Sequence, residues 1–234
     1  MILPYLLTNL DFAAMFRLIS PNFFKVVSPT VMFKIAGQLK NNYSDTHAWE
    51  ELRLRTLSSI QKAELATNRQ PGELALQLFF YQILSQDTWI LDFRAEAFNQ
   101  GKDKMLSWNP KPLYYKISPG FLQGVRELYR GFYGEDDALF DSALASLGLL
   151  AAKNCLKNHF GQGDQTSVNF KLQTFQNTFT EVFSVCKREG IHLQPEFFVL
   201  GLMLLTLYQN LESRGEPQNA RQCFAEAYQK ATAR

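Results

Sequence analysis

The chain has 234 residues, of which 46% are hydrophobic and 14% aromatic, and its 24 basic and 22 acidic residues give a formal charge of +2. This length and hydrophobic content suffice for a folded core without disulfides or a structural metal. The evenly mixed charges argue against nucleic-acid binding, and no apolar run approaches the roughly 18 residues that a membrane-spanning helix needs.

Residues 1–40 form a candidate amphipathic arm. Leucine, phenylalanine, methionine and valine recur along it, and Pro4, Pro21 and Pro29 divide it into short helices. A segment of this kind packs on its own domain, or it binds a bilayer or the groove of a partner protein. We expect it to lie on or beside a helical domain that comprises residues 41–234.

Two helices are predicted between the arm and residue 85. Ser44 or Asp45 caps a helix that extends to about Thr67, and Pro71 occupies the first position of another that ends at about Leu84. Both predictions depend on capping residues and on apolar side chains at helical spacing.

The pattern between residues 87 and 117 is different. Residues 88–93 are rich in β-branched and aromatic side chains, and residues 99–102 (Asn-Gln-Gly-Lys) have the composition of a turn. Either residues 105–108 or residues 113–117 are candidate partner strands. At most one small β-hairpin is therefore expected near residues 88–117.

Helical signals dominate the remainder of the chain. Ser118 and Pro119 begin a helix, Asp136 caps the next, and Pro195 opens a later helix that is apolar on nearly all sides. A helix of that last kind is typically buried at the centre of a domain. The predicted fold is mainly α, a single-domain helical bundle of about 8–10 helices.

Cysteine and histidine provide no sign of a metal site or of secretion. Cys155, Cys186 and Cys223 are widely spaced and form no Cys-x-x-Cys motif or Cys/His cluster. The three histidines are also far apart, and the N-terminus lacks the features of a signal peptide. We expect no cofactor and a reducing, cytoplasmic environment, with peripheral membrane contact as a further option.

The sequence WILDFR, residues 89–94, resembles an element of a catalytic site. In kinase-like folds, a strand that ends in aspartate and phenylalanine presents a metal-binding carboxylate to nucleotide phosphates. If residues 88–93 form a strand, Asp92 and Arg94 lie on the same face, and the arginine favours an ion pair over a divalent cation. Asp92 is therefore predicted to form a structural ion pair or to be a strand-edge residue, with a nucleotide and metal site as the alternative.

A family resemblance supports that alternative. LDFR at residues 91–94 is followed by a Ser-Pro-initiated helix, an aspartate-bearing turn, a Leu-Gly helix end and a proline-initiated, leucine-rich helix. This order over residues 74–212 resembles the C-terminal helical half of the UbiB/AarF atypical kinase-like family. The resemblance implies a degenerate member that binds nucleotide and metal through Asp92. Arg94 stands where the family has glycine, and residues 79–88 contain no counterpart of its catalytic loop.

The leading functional hypothesis is a non-enzymatic protein that acts by binding through aromatic-rich apolar surface. Twenty phenylalanines accompany no convergent catalytic set, and buried aromatic side chains dominate the energetics of many interfaces. A protein partner, a lipid-like hydrophobic ligand and a membrane surface are all compatible with this pattern. The residues expected to make the contacts are Tyr114, Tyr115, Phe121, Tyr129, Phe132 and Tyr133.

Overall fold

The computed structural model of the chain describes residues 26–61, 70–100, 106–160 and 167–233. Nine α-helices lie within these ranges: α1 (Pro29–Ser44), α2 (Thr46–Gln61), α3 (Pro71–Ser85), α4 (Pro119–Tyr133), α5 (Asp137–Ser146), α6 (Lys153–Phe160), α7 (Leu172–Arg188), α8 (Glu196–Arg214) and α9 (Ala220–Thr232). The strands are β1 (Thr88–Ile90), β2 (Phe98–Gln100), β3 (Leu106–Trp108) and β4 (Tyr114–Lys116), and short 3-10 helices span Ala95–Ala97 and Leu150–Ala152. The predicted mainly α, single-body bundle is confirmed.

The β structure lies where it was expected, but it consists of two nested antiparallel pairs rather than one hairpin. The outer pair joins β1 to β4, with Trp89 opposite Tyr115, and the inner pair joins β2 to β3, with Asn99 opposite Ser107. The 3-10 turn at Ala95–Ala97 redirects the chain between the two pairs, so each candidate partner segment has its own strand. The second half of the predicted turn at residues 99–102 lies outside the described residues.

The structure describes the proposed N-terminal arm only from residue 26 onward. Val26 and Val27 are buried, and the Val26 carbonyl accepts a hydrogen bond of 2.9 Å from the Leu193 amide. Helix α1 buries an apolar stripe, and the Asn42 side-chain amide donates to the Tyr114 carbonyl at 2.9 Å. Residues 26–40 therefore pack on the helical body. Residues 1–25 and the predicted helix end near Thr67 lie outside the described residues.

Helix α8 is the central helix that its apolar composition predicts, and two polar side chains on it have a specific structural role. The Thr206 hydroxyl donates to the Leu91 carbonyl at 2.7 Å and accepts from the Phe93 amide at 3.2 Å. One turn later, the Asn210 amide donates to the Phe93 carbonyl at 2.8 Å. Helix α8 thus satisfies the buried backbone of an extended segment that has no neighbouring strand on that side.

The same extended segment, residues 90–93, is bound on its other sides as well. The fully buried Gln82 of α3 accepts from the Ile90 amide at 2.7 Å and donates to the Ile90 carbonyl at 3.3 Å. The Leu91 amide donates to the Leu113 carbonyl at 2.8 Å, which extends the β1–β4 pairing. We call residues 90–93 the central segment, because helices α3 and α8 and the β4 side of the sheet all bind it.

Substituting Thr206 with valine is expected to lower the free energy of unfolding by about 1–3 kcal/mol. Valine preserves the shape of the side chain but leaves the buried Leu91 carbonyl and Phe93 amide without a partner. Urea denaturation measures the loss. The matched control is Thr232→Val on the exposed last turn of α9, where the hydroxyl binds only its own helix carbonyls. A loss at Thr206 no greater than that at Thr232 contradicts the assigned role.

Candidate functional site

Asp92 lies at the centre of the fold and forms the predicted ion pair. Its side chain is 1% exposed, and Oδ1 accepts from Arg94 Nε at 2.7 Å. Oδ2 accepts from Arg94 Nη2 at 3.0 Å and from the Lys111 backbone amide at 2.8 Å. The hydrogen bond to Asp92 raises the pKa of the Arg94 guanidinium above its ordinary value, although burial opposes this effect. Both carboxylate oxygens are therefore occupied by protein donors.

The groups around Asp92 connect neighbouring loops, and among the described residues they do not form a metal-binding site. Trp108 Nε1 donates to the Asp92 carbonyl at 3.1 Å, and Arg94 Nη1 pairs with Glu96 at 2.9 Å. Within the described ranges, no group of three or more His, Cys, Asp or Glu side chains is placed to hold a metal ion. Asp92 thus joins the central segment to the loop that follows β3.

Tyr114 and Tyr115, two of the predicted binding residues, lie half-buried on β4. Because successive side chains of a strand point to opposite faces, the two tyrosines do not share a surface. The Tyr114 ring stacks on Trp49 at 5.9 Å between ring centroids, and Tyr115 lies opposite Trp89 in the sheet. Burial raises the pKa of both phenols, and a nearby carboxylate adds to the effect on each.

The other four predicted residues lie on α4 and point mainly inward. Phe121 is fully buried, with its ring edge-to-face against Phe197 at 4.9 Å. Tyr129 is 3% exposed, whereas Phe132 and Tyr133 are half-buried at the end of the helix. Phe121 therefore contributes to core packing, and the structure brings together only Tyr129, Phe132 and Tyr133.

Most aromatic side chains whose burial the structure describes are internal. The strongly exposed large apolar side chains in the described part are Phe33, Leu54 and Leu150, which lie on three separate elements. Isolated exposed apolar residues are normal on a protein surface and do not by themselves indicate an interface. The candidate site therefore lies inside the protein, beside a cluster of aromatic side chains from three helices.

That cluster is centred on Phe80 of α3. Its ring makes edge-to-face contacts with Tyr129 at 5.6 Å, Tyr133 at 5.4 Å and Phe224 at 5.4 Å. Edge-to-face aromatic pairs contribute about 0.5–1.5 kcal/mol each beyond the area that they bury. The cluster fixes helices α3, α4 and α9 relative to one another.

A cleft opens on one side of this cluster, between helices α3, α4, α8 and α9. Its cavity volume is about 30 Å³, and the empty space is about 370 Å³ when the opening to solvent is included. Eleven residues line it, all of them aromatic or aliphatic: Leu76, Phe79, Phe80, Tyr129, Tyr133, Val168, Phe170, Leu204, Leu207, Tyr208 and Ala220. We refer to it as the aromatic cleft.

Three tyrosines supply the polar side-chain groups of the aromatic cleft. Burial raises the pKa of Tyr129, Tyr133 and Tyr208 above the ordinary tyrosine value. Neighbouring phenols add to the effect on Tyr129 and Tyr208, whereas Cys223 adds to that on Tyr133 and Arg221 opposes it. All three are therefore neutral at physiological pH and act only as hydrogen-bonding groups. The lining provides apolar contact and neutral hydrogen bonds, without a charged group or an activated nucleophile.

Residues 167–171, which we call the strap, cross the aromatic cleft. Val168 pairs with Gln218 through two backbone hydrogen bonds of 2.8 and 2.9 Å, and the Phe170 ring packs edge-to-face on Tyr208 at 5.1 Å. Exposure alternates along the strap, with Val168 and Phe170 turned inward and the residues between and beside them turned to solvent. This alternation is typical of a strand.

Sequence reasoning missed Val168, Phe170 and Tyr208 as members of one site. Phe170 lies just before the helix that begins at Leu172, and Tyr208 lies within the apolar helix α8, so the two residues belong to different elements. Two signals were available: the polar–apolar alternation of residues 167–171, and a tyrosine near the end of an otherwise aliphatic helix face. Neither signal indicates by itself that the two segments meet.

None of the three cysteines is among the residues that line the aromatic cleft. Cys155, Cys186 and Cys223 are free and buried. Burial raises the pKa of the Cys186 thiol to about 11 and also raises that of Cys155, with a Glu181 contact as a second cause. Because a thiol rather than a thiolate is the dominant form, Cys155 and Cys186 lack the character of a nucleophile.

Among the described helices, none combines the length and apolarity required to cross a bilayer. Comparison with protein-family models, with curated proteins and with solved structures finds no match to this chain.

Proposed function

We propose that the protein binds a small apolar molecule in the aromatic cleft and does not convert it chemically. The observation that carries this proposal is the lining, in which six aromatic and five aliphatic side chains meet with only neutral phenols as polar groups. Small-molecule sites are typically concave and apolar with a few polar groups that fix orientation. A lipid-like or ring-bearing ligand fits this chemistry.

The absence of an ionised group from the lining supports binding rather than catalysis. General acid–base chemistry needs a group whose pKa lies near the operating pH, and the three phenols are shifted away from it. A protein partner or a membrane surface would instead require a contiguous exposed apolar area. Among the residues whose exposure is described, the large exposed apolar side chains Phe33, Leu54 and Leu150 are scattered, which favours an internal ligand.

Filling the aromatic cleft is expected to weaken binding of an apolar probe by about tenfold or more. The probe is 11-(dansylamino)undecanoic acid, a fluorescent fatty-acid analogue, and its titration with purified protein gives the dissociation constant. In Ala220→Met, the longer side chain enters the aromatic cleft, because Ala220 is one of its lining residues.

The control for this titration is Ala227→Met, which places the same side chain at a buried position of the same helix outside the lining. Both substitutions overpack the interior, so the urea midpoint of each variant is measured as well. Wild-type protein that does not bind the probe, or Ala220→Met protein that binds it as tightly as Ala227→Met, contradicts the proposal.

The nucleotide alternative at Asp92 is examined in the same preparation. Magnesium with ATP raises the thermal midpoint of a protein that binds it in the folded state. The closed pairing of Asp92 with Arg94 and Lys111 leads us to expect no shift. A magnesium-dependent shift that Asp92→Asn removes would instead support the kinase-like alternative.

A further inference from the structure

The strap forms one wall of the aromatic cleft, and its inward side chains also occupy the space where a ligand would bind. Val168 and Phe170 are its two inward side chains, and both line the aromatic cleft. We infer that the strap is an internal occupant of the aromatic cleft, and that Phe170 leaves its place on Tyr208 before an apolar molecule binds there. This inference rests on the proposed function for the identity of the site.

Volume is the first argument for displacement. The cavity volume of the aromatic cleft is about 30 Å³, whereas sites for small molecules are roughly 300–1,000 Å³. A ligand therefore needs space that the inward side chains of the strap now occupy. The surrounding walls are helices of the core, and Leu204, Leu207 and Tyr208 on α8 are buried. The strap is the part of the enclosure that is not helical.

The second argument is the attachment of the strap. One bridge of two backbone hydrogen bonds joins Val168 to Gln218, and one aromatic contact joins Phe170 to Tyr208. Ser167, Asn169 and Lys171 are exposed. Segments with few buried contacts open at a lower free energy than core helices do. Opening of the strap therefore does not require unfolding of the bundle.

The contact of Phe170 with Tyr208 also indicates the class of ligand. Phe170 packs edge-to-face on Tyr208, and Phe175 packs on the same ring at 4.9 Å. The ligand that replaces Phe170 therefore presents an apolar ring or a branched apolar group to Tyr208. Since the protein must open first, the observed affinity equals the intrinsic affinity multiplied by the open fraction.

Removing the internal occupant is expected to strengthen binding. We expect Phe170→Ala to bind 11-(dansylamino)undecanoic acid about tenfold more tightly than wild type, because the competing side chain is gone. An aromatic residue that only contacts ligand would give the opposite result. The matched control is Phe179→Ala on α7, which removes a half-buried phenylalanine from outside the lining and leaves the affinity unchanged.

Locking the strap is the complementary test. The Cα atoms of a hydrogen-bonded antiparallel pair are about 5.5 Å apart, within the range that a disulfide spans. The double variant Val168→Cys/Gln218→Cys is therefore expected to bind the probe at least about tenfold more slowly when oxidised and to recover on reduction. Each single-cysteine variant, treated with the same oxidant, is the control. A folded, oxidised double variant that binds at the wild-type rate overturns the inference and leaves the proposed function intact.

Hydrogen exchange in the absence of ligand distinguishes failure of the proposed function from failure of the inference about the strap. In wild-type protein, the Val168 and Gln218 amides are expected to exchange with deuterium faster than the amides of α8. If the probe does not bind but these amides exchange fast, the proposed function fails and the mobile strap stands. If they exchange as slowly as α8, the strap does not open and the inference is overturned, whatever the probe does.

Discussion

Asp92→Ala is expected to lower the free energy of unfolding by about 3–5 kcal/mol, the cost of removing one partner from a buried ion pair. The substitution leaves the Arg94 guanidinium, whose side chain is 14% exposed, without the carboxylate that it contacts through two nitrogens. It also leaves the Lys111 backbone amide without its acceptor. Urea denaturation followed by circular dichroism measures the loss.

Two variants serve as controls for this prediction. Asp87→Ala removes a carboxylate that is 56% exposed and pairs with Arg55 and Lys116 only at 4.0 and 3.9 Å; exposed pairs of this kind contribute about 0–1 kcal/mol. The double variant Asp92→Leu/Arg94→Met removes both charges, so it is expected to cost less than Asp92→Ala alone. A loss at Asp92 equal to that at Asp87 would show that the ion pair is not structural.

Gly131→Ala is expected to destabilise the protein by about 2 kcal/mol, although alanine is the better helix former. A Cβ atom at Gly131 would lie 2.5 Å from the Phe140 amide nitrogen and 2.8 Å from its Cα. Those atoms are backbone and cannot rotate away, so α4 and α5 must separate. The thermal midpoint and the urea midpoint of the variant measure the effect.

Gly37→Ala is the matched control, since it makes the same change within helix α1. A Cβ atom at Gly37 meets nothing within 4 Å. That substitution is expected to stabilise the protein by about 0.5–1 kcal/mol through helix propensity alone. The two glycines therefore have opposite predicted signs, and a stabilising Gly131→Ala would contradict the close approach of α4 and α5.

Local signals predicted most of the helix boundaries. Pro29, Pro71 and Pro119 lie in the first turn of their helices, where a missing amide costs nothing. Pro195 is displaced by one residue, because it precedes the helix that begins at Glu196. These features depend on neighbours in the sequence, and a single chain is sufficient to reveal them.

The strand pairing and the aromatic cleft depend on contacts between distant residues, so the sequence could not specify them. Both candidate partner segments are real, but local composition does not tell which pairs with which strand. Tyr129 and Tyr133 were identified by their residue type, whereas their neighbours Phe170 and Tyr208 come from other parts of the chain. A resemblance in helix order over residues 74–212 likewise does not reveal that Asp92 is occupied by its own neighbours.

The hydrogen bonds between the central segment and helix α8 have a consequence for biosynthesis. They join residues that are 113 to 117 positions apart. At translation rates of about 5–20 residues per second, α8 leaves the ribosome on the order of ten seconds after residues 90–93. During that interval, the backbone groups later bound by Thr206 and Asn210 have only water or a chaperone as partners. The central segment therefore becomes fixed late, only after helix α8 has been made.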